Sequence, residues 1–288
     1  MHRIPGGQDR HKKLLSPYQA NSHIVTDVPH YTLLLMPRAN RHFIPGYIWH
    51  ITHRCHKKEF LLKFDKDKSR WLWWLFEAKK RYGTCILDYM VTSNHIHLLL
   101  YDIADRECIP RTIQLIAGRT GQEFNQRKRR KGAFWEDRYH ATAVESREHL
   151  IQCILYIDLN MVRAGVVSHP LEWGRFSGYK EIQNPKERYS LIDHAQLVTL
   201  LGKEGTDDLI DSHAAWVDDA VKKGNKPREV KWTESIAVGS KEFVEKIKEK
   251  LGALFLSRKV EGEEGRYELH DPQRPYRLTE NYFPWRDL

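Results

Sequence analysis

Two apolar runs, 84–92 and 95–101, meet at a tight Ser93-Asn94 turn, and the second carries histidines at alternate positions, His95 and His97. Such a pair of runs around a two-residue turn reads as a β-hairpin. Along a strand, side chains alternate between faces, so both imidazoles project the same way while Ile96 turns into the core. Two imidazoles so placed form a clamp for a divalent metal, and an open site completed by an oxygen ligand leaves room for phosphate oxygens and water. Alternation also places histidine pairs on ordinary solvated strand faces. By themselves, His95 and His97 leave both readings open.

The stretch 146–165 adds a second element. It reads as a helix with Ser146 as N-cap, Glu148 in the first turn and Gly165 just past the end. Leu150, Ile151, Ile154, Leu155 and Val162 make its apolar side; Gln152, Tyr156, Asn160 and Arg163 line another. A phenol can serve as a covalent nucleophile, and an asparagine carbonyl oxygen can ligate a hard cation. Gln152 cannot be a general base, because an amide takes no proton near neutral pH. The plainer reading is a tyrosine at the core edge and an asparagine near a helix end.

The remaining periodicity places these elements in a fold. A strand is expected at 47–56. A helix follows at 67–82, with Trp71, Leu72, Trp74, Leu75 and Ala78 as its apolar face and Gly83 as its stop. After the hairpin come a helix at 110–129, a strand at 133–144 and the tyrosine helix. The order β-α-β-β-α-β-α is that of an α+β, ferredoxin-like split β-α-β sandwich with helices on one sheet face and an extra C-terminal helix. The histidine strand should be central, and the tyrosine helix should dock on its own sheet or a partner's. Residues 1–40 read as an N-terminal extension and 41–180 as the principal domain. The region 181–288 reads as a small helical appendage and tail, with helices at 207–223 and 240–256 around a Gly224-Asn225-Lys226-Pro227 breaker and Ser240 as N-cap of the second. This appendage is expected to contact DNA, to dimerise, or to buttress the principal domain.

The run from Asn94 to Leu99, followed some sixty residues later by Tyr156-Ile157-Asp158-Leu159-Asn160-Met161-Val162-Arg163-Ala164-Gly165, resembles the single-tyrosine HUH transposases, and among them the REP-associated tyrosine transposases. The likeness covers 41–180 and includes the Gly46 to His56 strand and the Gly132 to Tyr139 segment. Met161 departs from it, since the family usually has proline after the asparagine. The resemblance implies cleavage and rejoining of single-stranded hairpin DNA through a 5′-phosphotyrosine on Tyr156. It also implies a divalent metal, Mg2+ or Mn2+, on His95 and His97 with Asn160 as third ligand, and a monomer or homodimer. Tyr139 is the alternative nucleophile. A catalytically silent DNA- or RNA-binding regulatory protein on the same fold is the competing reading.

Charge agrees with a polyanionic partner: 47 Lys and Arg stand against 38 Asp and Glu, a net of +9. Arg127, Lys128, Arg129, Arg130 and Lys131 put five cations in a row at a helix end, more than the macrodipole requires, and point to phosphate contact. Arg54, with His53 and His56 on the first strand, Arg138, with His140 on the fourth, and Arg163 on the tyrosine helix are further DNA-binding candidates. Trp135 is the candidate for stacking unpaired bases. The four cysteines, Cys55, Cys85, Cys108 and Cys153, lack paired spacing, which argues against a zinc knot or a disulfide framework. The apolar run 31–36 is too short to span a bilayer, and a cytoplasmic protein is expected.

Overall fold

A computed structural model describes residues 43–103, 107–224, 227–256, 258–263 and 265–270. The expected extension at 1–40 and the end of the tail lie outside the described residues. The chain folds as α+β. Strand β1 (Ile48–Arg54) leads through a short 3-10 turn to α1 (Asp65–Tyr82), then to the hairpin β2 (Cys85–Val91) and β3 (His95–Tyr101), to α2 (Cys108–Lys128) and to β4 (His140–Val144). These four strands run in the order β2-β3-β1-β4 with antiparallel pairing throughout, the split β-α-β arrangement expected. The strand expected at 133–144 is shorter at its start; before His140 only an isolated bridge joins Trp135 to Cys55.

Local signals explain most boundaries. Aspartates 65 and 67 open α1, basic residues 79–81 close it, and Gly83 ends it with φ 66°, a left-handed conformation that glycine adopts without a Cβ clash. Helix α1 buries Trp71, Trp74, Leu75 and Ala78, four of the five expected apolar positions.

The tyrosine helix is broken. Leu159 separates α3 (Glu148–Asp158) from a single turn, α4 (Asn160–Arg163). Arg147, with φ 62°, occupies the cap position, and no side-chain cap bond forms; the expected capping by Ser146 is therefore replaced by a left-handed turn one residue later. At the other end, Val166 N–H reaches the Met161 carbonyl at 3.0 Å and Gly165 N–H the Val162 carbonyl at 2.9 Å, a Schellman termination that makes use of Gly165 at φ 66°.

Helices cover both sheet faces. Trp135, which stacks on His53 of β1, donates its indole N–H to the Ala117 carbonyl at 3.0 Å, so α2 lies on the His53 face, and α1 packs against α2. Helix α3 lies on the opposite face, where Tyr156 meets His50 and His97, and it docks on its own sheet. Full burial of Leu150, Ile154 and Ile157 holds it there, each side chain stabilising by roughly 1.5–3 kcal/mol.

Beyond residue 180 the helices α5 (Tyr179–Gln183), α6 (His194–Leu201), α7 (Thr206–Lys222), α8 (Lys231–Glu234), α9 (Lys241–Leu251) and α10 (Ala253–Leu256) include both expected amphipathic segments. Ser240 caps α9 by accepting the Phe243 N–H. The region is not wholly helical, as the sequence reading had it. Strands β5 (Ser235–Gly239), β6 (Val260–Glu263) and β7 (Arg266–His270) extend the sheet to seven strands, β5 joining β4 in parallel. The pairing of β5 with β4 satisfies backbone groups that an edge strand would leave open, and it brings α8 against the face that carries His95 and His97. No helix among the described residues is long and apolar enough to cross a membrane.

Candidate active site

Register sets the centre of the site. His97 pairs with Thr52 and His95 with Arg54 across β3 and β1, and Thr52 pairs in turn with His140 on β4. Opposed residues share a face, so His95, His97, His50, Arg54, His140 and Thr142 all project to the side on which α3 lies. The two rings of the His95-His97 pair stand 5.0 Å apart at 85°.

Each imidazole is held through Nδ1. His95 Nδ1 donates to Asn94 Oδ1 at 2.7 Å, with Thr92 Oγ1 at 2.9 Å from the same nitrogen. His97 Nδ1 faces His50 Nε2 at 3.0 Å, and His50 Nδ1 donates to the Trp232 carbonyl at 2.8 Å. Asn160 Nδ2 donates to His97 Nε2 at 3.1 Å, and a half-turn of its amide presents Oδ1 at the same point. Burial lowers the pKa of His95 to about 3, with Arg54, Arg228 and Arg163 adding to the effect; burial takes His97 well below the ordinary histidine value and His50 to about 3. A neutral ring with an unprotonated Nε2 is the form in which imidazole ligates a metal. Among the described residues no three His, Cys, Asp or Glu side chains cluster with metal-ligand geometry. Two imidazoles and a carboxamide nevertheless fit a divalent cation with open positions.

Tyr156 lies against this pair. Its ring centroid is 5.7 Å from that of His97 at 90° and 6.1 Å from that of His50. The Arg163 guanidinium sits 4.3 Å over the phenol ring, and its Nη2 donates to the Tyr156 carbonyl at 2.5 Å. Trp232 flanks the other side at 6.2 Å. The break at Leu159 leaves Tyr156, Asn160 and Arg163 together on the sheet side, so the i, i+4 expectation survives a kink between its two members.

A cavity of about 570 Å3 opens over these groups. Its walls include His95, His97, Tyr156 and Asn160, and the guanidinium-bearing residues Arg54, Arg138, Arg163 and Arg228. Four arginines around neutral histidines make a pocket suited to a phosphodiester. Arg228 and Trp232, from the segment leading into β5, and His50 were absent from the sequence reading. The only signal for His50 was its even spacing from Thr52 and Arg54 on β1.

Other expected residues fall elsewhere. Arg127 pairs with Asp67, Arg130 binds the Ala133 carbonyl at 2.8 Å and lies 3.4 Å from Glu59, and Lys128 sits 5.3 Å over Phe64. Arg129 and Lys131 are exposed at the end of α2, and none of these five lines the cavity. Trp135 has one ring face against His53 at 4.2 Å and an edge contact with Phe134, so much of its stacking surface is taken up within the fold. Gln152 donates to Glu148 at 3.1 Å. His140 bonds the Ser235 carbonyl at 3.0 Å, tethering β4 to β5. Tyr139 packs against Phe43 and does not line the cavity, and burial raises its pKa to about 12.

Residues 44–160 match the family model described as "Transposase IS200 like". A comparison with curated proteins returns no match. Among solved structures, that of a REP-associated tyrosine transposase bound to a REP hairpin aligns with a TM-score of 0.42 at 17% identity, over 52% of this chain and 90% of the other. The matched segment holds His95, His97 and Tyr156 and ends on Asn160, so it is over residues 44–160 that this chain is similar to the IS200-like transposases.

Proposed function

We propose that the chain is a metal-dependent transposase that cleaves and rejoins single-stranded hairpin DNA, with Tyr156 as nucleophile. The observation that carries this reading is the convergence of Tyr156, Asn160, His95 and His97 on one arginine-lined cavity. Tyr156 Oη forms a bond to phosphorus as the bond from phosphorus to the 3′-oxygen breaks. The product is a 5′-phosphotyrosine and a free 3′-hydroxyl, and net the phenolic proton is exchanged for the one the 3′-oxygen acquires. His95, His97 and Asn160 would hold Mg2+ or Mn2+, which when bound supplies Lewis-acid stabilisation of charge on the non-bridging oxygens. Arg163 orients the phenol through its ring and backbone contacts. Arg54, Arg138 and Arg228 draw the backbone phosphates into the cavity, and exposed Lys128, Arg129 and Lys131 extend the phosphate-binding surface along the end of α2. Covalent storage of the phosphodiester lets the strand be rejoined without an external energy source.

The test is incubation of full-length wild type and Tyr156→Phe with a 3′-labelled hairpin oligonucleotide and Mn2+, followed by denaturing electrophoresis. A protein-linked labelled band is expected for the wild type alone. A band of equal intensity in Tyr156→Phe removes this tyrosine from its assigned role.

A further inference from the structure

We infer that His50 is a positioning residue that holds His97 in the tautomer able to bind a cation, through a relay that ends on the main-chain carbonyl of Trp232. The inference rests on the reading of His97 as a metal ligand and adds to it a group outside the ligand set. The argument is one of hydrogen-bond bookkeeping. A carbonyl oxygen can only accept, so the 2.8 Å contact between His50 Nδ1 and the Trp232 oxygen puts a proton on Nδ1. A neutral ring protonated there has a bare Nε2. That nitrogen, 3.0 Å from His97 Nδ1, then accepts the His97 Nδ1–H. His97 is left with its lone pair on Nε2, where Asn160 stands at 3.1 Å. The stacked rings, 5.1 Å apart at 14°, fix the orientation of both.

His95 reaches the same tautomer by a local route, through Asn94 and Thr92 in the hairpin turn. His97 has no such neighbour, and its partner is set by the pairing of β1 with β3 and by a carbonyl 182 positions beyond His50. Metal-binding histidines commonly need such a partner on the second nitrogen, and its loss lowers metal affinity by roughly 10–100-fold. Here the partner is a second imidazole, and the region after the matched domain anchors it.

Nitrogen NMR of 15N-histidine-labelled full-length protein without metal reads the tautomer directly. Protonated Nδ1 and bare Nε2 are expected for both His50 and His97; a proton on His97 Nε2 overturns the relay. Titration with Mn2+, followed by the free-ion EPR signal, gives the second readout. His50→Phe should weaken binding by at least about tenfold and let the His97 proton redistribute. His50→Gln, which offers an amide oxygen near the former Nε2, should recover most of the loss. Wild-type affinity and tautomer in a folded His50→Phe protein, or a Gln variant as impaired as the Phe variant, also overturn the proposal. If His50→Phe does not fold, the wild-type tautomer and the Gln variant decide. No measurement here uses DNA, so absence of a Tyr156 adduct beside the expected tautomers and affinities would overturn strand cleavage and leave the relay intact.

Discussion

His213 Nε2 donates to Asp158 Oδ2 at 2.8 Å, with both side chains buried, so α7 is tied to the last residue of the helix that carries Tyr156. Gln183 completes the histidine from the other side at 2.8 Å, and Ser177 donates to the second carboxylate oxygen at 3.3 Å. Removing one member of a buried pair strands the other without solvent. His213→Leu is expected to cost about 3 kcal/mol of unfolding free energy in urea titration. A loss under about 1 kcal/mol, the range of an exposed pair, would mean that α7 does not depend on this contact.

In the proposed metal site Asn160 is the third donor, and its contribution is separable from the fold because its side chain is only half-buried. Asn160→Ala should weaken Mn2+ binding by about tenfold, or about 1.4 kcal/mol, with an unchanged thermal unfolding midpoint. Calorimetric titration checks it, and equal affinities in the two proteins would remove the amide from the ligand set.

Arg228 reaches the cavity from the C-terminal region and bonds Thr233 at 2.7 Å. If it meets a phosphate, Arg228→Ala should weaken hairpin binding at every sequence tested and reduce the slope of log affinity against log salt by about 0.7–0.9. Mn2+ affinity without DNA should not change. Fluorescence anisotropy across a salt series measures this, and an unaltered slope would argue for a purely structural arginine.

His53 also borders the cavity, but its ring stacks on Trp135 on the other side of the sheet from His50. Burial lowers its pKa from 6.5 to about 4, with the Asp137 carbonyl bond at 2.8 Å opposing that shift in part. Between those values the unfolded chain binds a proton that the folded chain refuses, so stability is complete above pH 6.5 and falls as pH drops toward 4. His50 and His95 act in the same direction. His53→Leu should therefore flatten the dependence in that window by about one proton, near 1.4 kcal/mol per pH unit. Urea unfolding at several pH values tests it; parallel curves for the two proteins would contradict the assignment.

Two short periodicities made much of the site legible in the sequence. Alternation along β3 put His95 and His97 on one face, and the four-residue repeat placed Tyr156 and Asn160 together, because both depend only on backbone geometry within a few residues. The split β-α-β order was readable for the same reason, its elements being long and strongly patterned. The basic run at 127–131 shows the limit of such reading: composition marks the charges, but whether Arg127 turns to Asp67 or to solvent depends on where α1 packs.

Tertiary structure decided what completes the centre. His50 meets His97 only through the register of β1 against β3, and Trp232 and Arg228 arrive only because β5 pairs in parallel with β4. Strand register and long-range pairing are set by the packing of the whole sheet rather than by neighbours along the chain, so no local pattern announced them.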